Sequence, residues 1–157
     1  MMVTYKFVRL TEDHSDVLAT GLLHKVQRSE RTAAYCNVPP EELKQRVYEI
    51  YRHLGEWLLD KSEAEVERRY MEIGLRRALQ DVPLSQLIWA IILTKDNLWE
   101  FILDEACPDR PVEIFGQQEL LRLLDQFFDR AIHAAAVGYE RAADARGRTE
   151  SKARKAS

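Results

Sequence analysis

The stretch LSQLIWAIILTKDNLWEFIL, Leu84 to Leu103, limits what this chain can fold into. Leu84, Leu87, Ile88, Ile91, Leu98 and Ile102 recur at helical spacing, and Trp89, Ile92, Trp99 and Leu103 widen that stripe beyond the single face of a surface helix. Such a helix needs cover on several sides, so it predicts a bundle whose other elements enclose it. Lys95, Asp96 and Glu100 interrupt the run, whereas a membrane span asks for about 20 predominantly apolar residues. A span is therefore excluded. With 157 residues, one domain with a real core is the expectation.

The enclosing helices are read from their own stripes. Leu43, Val47, Ile50, Leu54 and Trp57 predict a helix from Pro40 to about Leu59, with Pro40 suited to the first helical position. Ser62 and Glu65 have capping-box spacing, so the next helix runs from Glu63 to about Gln80 with the stripe Val66, Tyr70, Ile73 and, one turn on, Arg77. Asp81 to Pro83 form a tight corner. Upstream, Thr11 reads as an N-cap for a helix of about Glu12 to Gln27 carrying Val17, Leu18, Leu22 and Val26. Met1 to Leu10 show no clear period and read as an extended lead-in or a first turn, and residues 28–39 read as loop. Downstream, CPDRP is a loop, VEIFGQQE a short turn, and Gln117 to about Ala143 a last long helix. From Asp144 no apolar side chain exceeds alanine, which predicts a disordered basic tail. The expectation is an all-α bundle of about five main helices around a buried central one, over residues 1–143, with the tail at 144–157.

A formal charge of −3 gives no general pull toward nucleic acid or an anionic membrane. The basic tail, with Arg146, Arg148, Lys152, Arg154 and Lys155, reads as a solubilising end, the alternative being a contact with acidic partners. Cys36 and Cys107 match neither a zinc site nor a disulfide framework, and no secretory signal precedes the first helix, so the cytoplasm is the simplest compartment. No serine elbow, glycine-rich phosphate loop or paired Glu/His motif is present. The expectation is a protein that is not an enzyme and has no metal or cofactor. Among the histidines only His53, beside Ile50 and Leu54, points partly inward; a lone boundary histidine does not make a haem site. The aromatic residues Tyr70, Trp89, Trp99, Phe101, Phe127, Phe128 and Tyr139 read as core packing, the alternative being the lining of a ligand cavity.

Two groups of residues stand out. Arg77 continues an apolar stripe, and Thr94 with Lys95 interrupts another; a cation buried without a partner costs several kcal/mol. These cations either pair with acids such as Glu72, Asp96 or Glu100 or snorkel, or they line a pocket for a carboxylate or similar small anion between the third and fourth predicted helices. The second group is the strip Ala131, Ala135, Gly138 and Ala142, whose small side chains let another backbone approach closely. The strip serves either a homodimer interface or internal packing.

The string RRYMEIGLRRALQDVPLSQLIWAIILTKDNLWEFI, preceded by NVPPEELKQRV and followed by LLRLLDQFFDRAIHAAAVGYERA, resembles the non-haem globin-like N-terminal domain of RsbR-type stressosome proteins, the RsbT co-antagonist family. The resemblance implies an all-helical globin-like domain that dimerises and acts as a sensory or regulatory input, usually joined to an output module such as a STAS domain or a histidine kinase. Here only a short basic tail follows Tyr139, so the expectation is a stand-alone module that works in signal transduction through contact with a signalling protein partner, without an output domain. The alternative is a sensor that binds a small ligand, haem or a small anion.

Overall fold

The computed structural model of the chain describes residues 2–105 and 110–157 and, among these, contains helices and no strand. Six α-helices follow in order: α1 (Met2–Asp13), α2 (Ser15–Arg28), α3 (Pro40–Arg52), α4 (Glu63–Leu79), α5 (Leu84–Glu105) and α6 (Pro111–Ala156). A 3-10 segment, Glu30–Asn37, joins α2 to α3, and a π-helical turn, Glu56–Asp60, leads into α4. The all-α architecture is consistent with a globin-like bundle.

The strongest local signals place the middle of the chain. Pro40 occupies the first turn of α3, and Leu43, Val47, Ile50, Leu54 and Trp57 are all buried. Their stripe continues across a break at His53, where the chain turns before the π-helical segment. The break frees the Gly55 N–H, which donates to Glu12 Oε1 at 3.2 Å. At α4 both halves of the capping box form: Ser62 Oγ accepts from the Glu65 N–H at 3.2 Å, and Glu65 Oε2 accepts from the Ser62 N–H at 2.7 Å. Asp81, the only non-glycine residue with positive φ among those described (58°), forms the corner before Pro83.

α5 touches α6, α2, the 3-10 segment, α1 and α4, so it is enclosed as its width requires. Leu87, Ala90, Ile91, Leu98 and Ile102 are buried. Its outer row is only half-covered at Ile88, Trp89 and Ile92, and Leu103 is 51% exposed. Arg31 caps part of that row, its guanidinium lying 4.5 Å from the Trp89 ring centroid.

The ends of the chain depart from expectation. Residues 2–13 are helical, and Thr11 does not cap a following helix: its hydroxyl donates to the Phe7 carbonyl one turn back at 2.9 Å. Phe7 and Val8 are buried, whereas Val17, assigned to an inward stripe, is 72% exposed. The 3-10 segment occupies most of the expected 28–39 loop. Cys107 and most of CPDRP lie outside the described residues. From Pro111 the chain is one helix to Ala156, 46 residues or about 70 Å, so VEIFGQQE is its first turns and not a separate turn. The segment expected to be disordered, 144–157, is helical to Ala156. Too few apolar groups to build a core is an argument about tertiary packing; a helix already nucleated gains one hydrogen bond per added residue, and Ala, Arg, Lys and Glu extend it readily. Arg146, within that segment, donates to Asp81 Oδ1 at 3.0 Å and to the Ala78 carbonyl at 3.4 Å, a cation at the C-terminus of α4.

α4 and α6 lie side by side and run the same way: Glu63 pairs with Arg130, and Asp81 with Arg146. Their backbones touch at two glycines. A Cβ built on Gly74 would fall 2.9 Å from the Ala135 carbonyl carbon and 2.9 Å from the Tyr139 nitrogen, and one on Gly138 would fall 2.7 Å from Met71 Cα. Only glycine permits this approach.

Candidate functional site

A partly open cavity of about 50 Å³ lies between α2, α3, α4 and α5. Val47, Ile50, Leu87, Ile91 and Phe128 supply apolar wall, and Tyr35, Arg46, Tyr70, Arg77 and Thr94 supply polar atoms. The same periodicity that makes the core places these polar groups: Arg46 precedes Ile50 by one helical turn, and Arg77 follows Ile73 by one.

Arg77 is the most deeply buried cation described, its side chain 3% exposed. Its Nη1 donates to Glu42 Oε1 at 3.1 Å and to Gln80 Oε1 at 2.8 Å, while Nε is buried without a partner. Glu42 is shared. Arg76 grips it bidentately, Nε to Oε1 at 2.8 Å and Nη2 to Oε2 at 3.1 Å, and Gln80 Nε2 donates to both oxygens at 3.3 and 3.2 Å. The hydrogen bond from Arg76, outweighing the cost of burial and aided by Arg77, holds the Glu42 carboxyl down to about 2. The Arg77 guanidinium also lies 5.7 Å from the Tyr35 ring centroid; burial pushes the Tyr35 phenol up to about 12, against the pull of that charge. Arg69 is likewise satisfied, by Glu49 at 2.6 Å and Glu72 at 3.5 Å.

Arg46 differs from its neighbours. Half-buried at the cavity wall, it forms no ion pair among the described residues; burial first, then the charges of Arg69 and Arg77, disfavour its cationic form against the pull of Glu49 and Glu42. Tyr70 is buried beside it, and that burial raises the pKa of its phenol. Deeper in, Tyr51 donates to the Thr94 carbonyl at 2.9 Å and accepts from Asn97 Nδ2 at 3.3 Å; Asn97 Nδ2 also donates to the Leu18 carbonyl at 3.0 Å. Lys25 reaches the Asn97 carbonyl oxygen at 2.8 Å, which closes this network.

The structure thus brings Arg77 and Thr94 to one cavity and leaves Lys95 outside it. Lys95 lies 3.6 Å from Asp125 Oδ1, a partner on α6 rather than Asp96 or Glu100. The Thr94 hydroxyl is occupied by the Ala90 carbonyl at 2.8 Å. Arg46, Tyr35 and Glu42 escaped the sequence reading, although Arg46 sits on the edge of the α3 stripe and carries the same signal as Arg77. In the second group, Ala131 and Ala135 are fully buried, and Gly138 and Ala142 are buried with them, along the α4 contact of the same chain, so the strip serves internal packing.

Haem does not fit this cavity. Its volume is about 50 Å³, and none of the four histidines lines it: all are exposed, His53 by 51% of its side chain, because the break after Arg52 turns it outward. His14 bonds the Leu10 carbonyl through Nδ1 at 2.8 Å. The aromatic core expectation holds for Tyr70, Phe127 and Phe128, which meet edge to face, while Trp89 and Trp99 are half-covered.

Comparison with known proteins gives one family. Residues 16–154 match the model of the RsbT co-antagonist protein rsbRD N-terminal domain. No curated protein and no solved structure matches the chain.

Proposed function

The chain belongs to the RsbT co-antagonist protein rsbRD N-terminal domain family, and we propose that it serves as a cytoplasmic regulatory module that pairs with a second copy of itself and acts on a signalling protein by contact rather than by catalysis. The family description names a co-antagonist, which supports action through a protein partner. No helix among the described residues is long and apolar enough to cross a membrane.

The observation that carries the pairing is a shallow groove of about 470 Å³ along the outer edge of α4 and α6. Met71 and Leu75 form its α4 side, and Gly138, Ala142 and Ala145 its α6 side. Leu75 is 45% exposed, and Leu79, one turn further along α4, 60%. The rim carries Glu67 and Glu72 together with Arg68 and Arg141. A surface with both signs around an apolar centre can meet its own two-fold copy with acid facing base, which is what isologous pairing requires. With about half of each leucine already covered, burying the rest contributes about 1 kcal/mol per side chain. The strip of small residues therefore serves a pair indirectly, by bringing α4 and α6 close enough to form one face.

Sedimentation velocity of the wild type against Leu75→Glu tests this. The wild type sediments as a dimer at micromolar concentration and the variant as a folded monomer. A wild type that stays monomeric across the concentration range, or a variant that dimerises equally, removes the reading.

A further inference from the structure

We infer that the cavity between α2, α3, α4 and α5 is a binding site for a small monovalent carboxylate, its charged end held by Arg46 and Arg77 and its carbon end by the apolar wall. Three observations converge on it. First, the charges around the cavity do not balance. Arg46, Arg69, Arg76 and Arg77 stand against Glu42, Glu49 and Glu72, with Glu42 divided between two guanidiniums and Arg69 holding the other two carboxylates. Arg46, drawn by Glu49 and Glu42 only at longer range, is in no ion pair among the described residues, and it lines the cavity. One added carboxylate completes the set.

Second, a donor at the cavity is unspent: Arg77 Nε is buried without an acceptor among the described residues. Buried polar groups in folded proteins nearly always find partners, so a guanidinium this deeply buried, with a free N–H at a cavity wall, is suited to receive an acceptor from a ligand. Third, the space has a definite size. By the measure in which one water occupies about 10–15 Å³, a cavity of about 50 Å³ takes about three to five heavy atoms. Acetate and propionate fit; a phosphate brings more charge than the one unmatched arginine answers and has no carbon end for Val47, Ile50 and Ile91. The site lies wholly within one protomer, so it does not depend on the proposed pairing.

The test uses sodium propionate, sodium acetate and sodium phosphate against sodium chloride at matched ionic strength, read by thermal unfolding and by isothermal titration. Propionate should raise the midpoint of the wild type saturably above the chloride control, and Arg46→Gln should weaken its binding about tenfold or more. Should that variant not fold, nuclear Overhauser contacts between the propionate methyl and the methyls of Val47, Ile50 or Ile91 in the wild type give the same answer. Equal responses in wild type and Arg46→Gln, a response no larger than that of chloride, a phosphate effect that exceeds propionate, or no such contacts at saturating propionate each overturn the inference.

Discussion

Replacing Glu42 by glutamine removes the one carboxylate that Arg77 touches. Breaking a buried pair by deleting one partner costs about 3–5 kcal/mol, because the surviving charge stays desolvated. Here Gln80 Oε1 remains as an acceptor at 2.8 Å, and Glu42 retains 18% of its side-chain exposure, so the expected loss is smaller. A cost of about 2–3 kcal/mol, or roughly 5–10 °C in Tm for a chain of this size, is the prediction. The effect depends on pH with a definite sign. The Glu42 carboxyl is lowered from 4.5 to about 2 by its arginines, so its contribution is complete above about 4.5 and is lost as pH falls toward 2. The gap between wild type and Glu42→Gln is therefore widest near neutrality and closes through that window. Urea titrations followed by circular dichroism at pH 7 and at steps down to pH 3 measure it. A variant within about 0.5 kcal/mol of wild type at pH 7, or a gap that stays constant on acidification, refutes the assignment of Glu42 as the counter-charge.

Two further substitutions probe the frame around the site. Gly74→Ala should cost at least about 3 kcal/mol by denaturant titration, since the new methyl meets the α6 backbone at Ala135 and Tyr139 rather than a flexible side chain, whereas Gly147→Ala, with nothing within 4 Å, should stabilise by up to about 1 kcal/mol. Ser62→Ala should lower stability by about 1 kcal/mol through loss of the α4 cap, measured as a shift in urea midpoint without a change in slope.

How far the sequence discloses this molecule depends on the range of the interaction concerned. The α3 stripe and the Ser62–Glu65 box are local, spanning a few residues, and both appear as read. α1 is held by distant partners: Thr4 donates to Glu119 Oε2 at 2.7 Å, and Lys6 pairs with Glu113 at 3.1 Å. No periodicity within Met1 to Leu10 announces either contact. Arg77 was legible as a cation on an apolar stripe, but its partner, Glu42, lies 35 residues away on another helix, and the nearer acid, Glu72, went to Arg69. Lys95 was grouped with Arg77 because both interrupt apolar runs; their opposite fates follow from which way each helix is rotated in the bundle, a tertiary property. The small-residue strip of α6 signalled a close backbone approach correctly and left open whose backbone it was. Gly74, on a helix whose stripe is made of large side chains, is the other half of that contact.

The most direct test of the central claim, that the outer face of α4 and α6 is where two copies meet, is oxidative cross-linking of a single cysteine. With Cys36 and Cys107 replaced by serine, Leu75→Cys lies in the proposed face, and Val17→Cys, at a site 72% exposed on α2 against 45% for Leu75, serves as the more accessible control. A disulfide-linked dimer that forms rapidly at position 75 and hardly at all at position 17 is the predicted result. Equal yields at both positions, or none at 75, contradict the account.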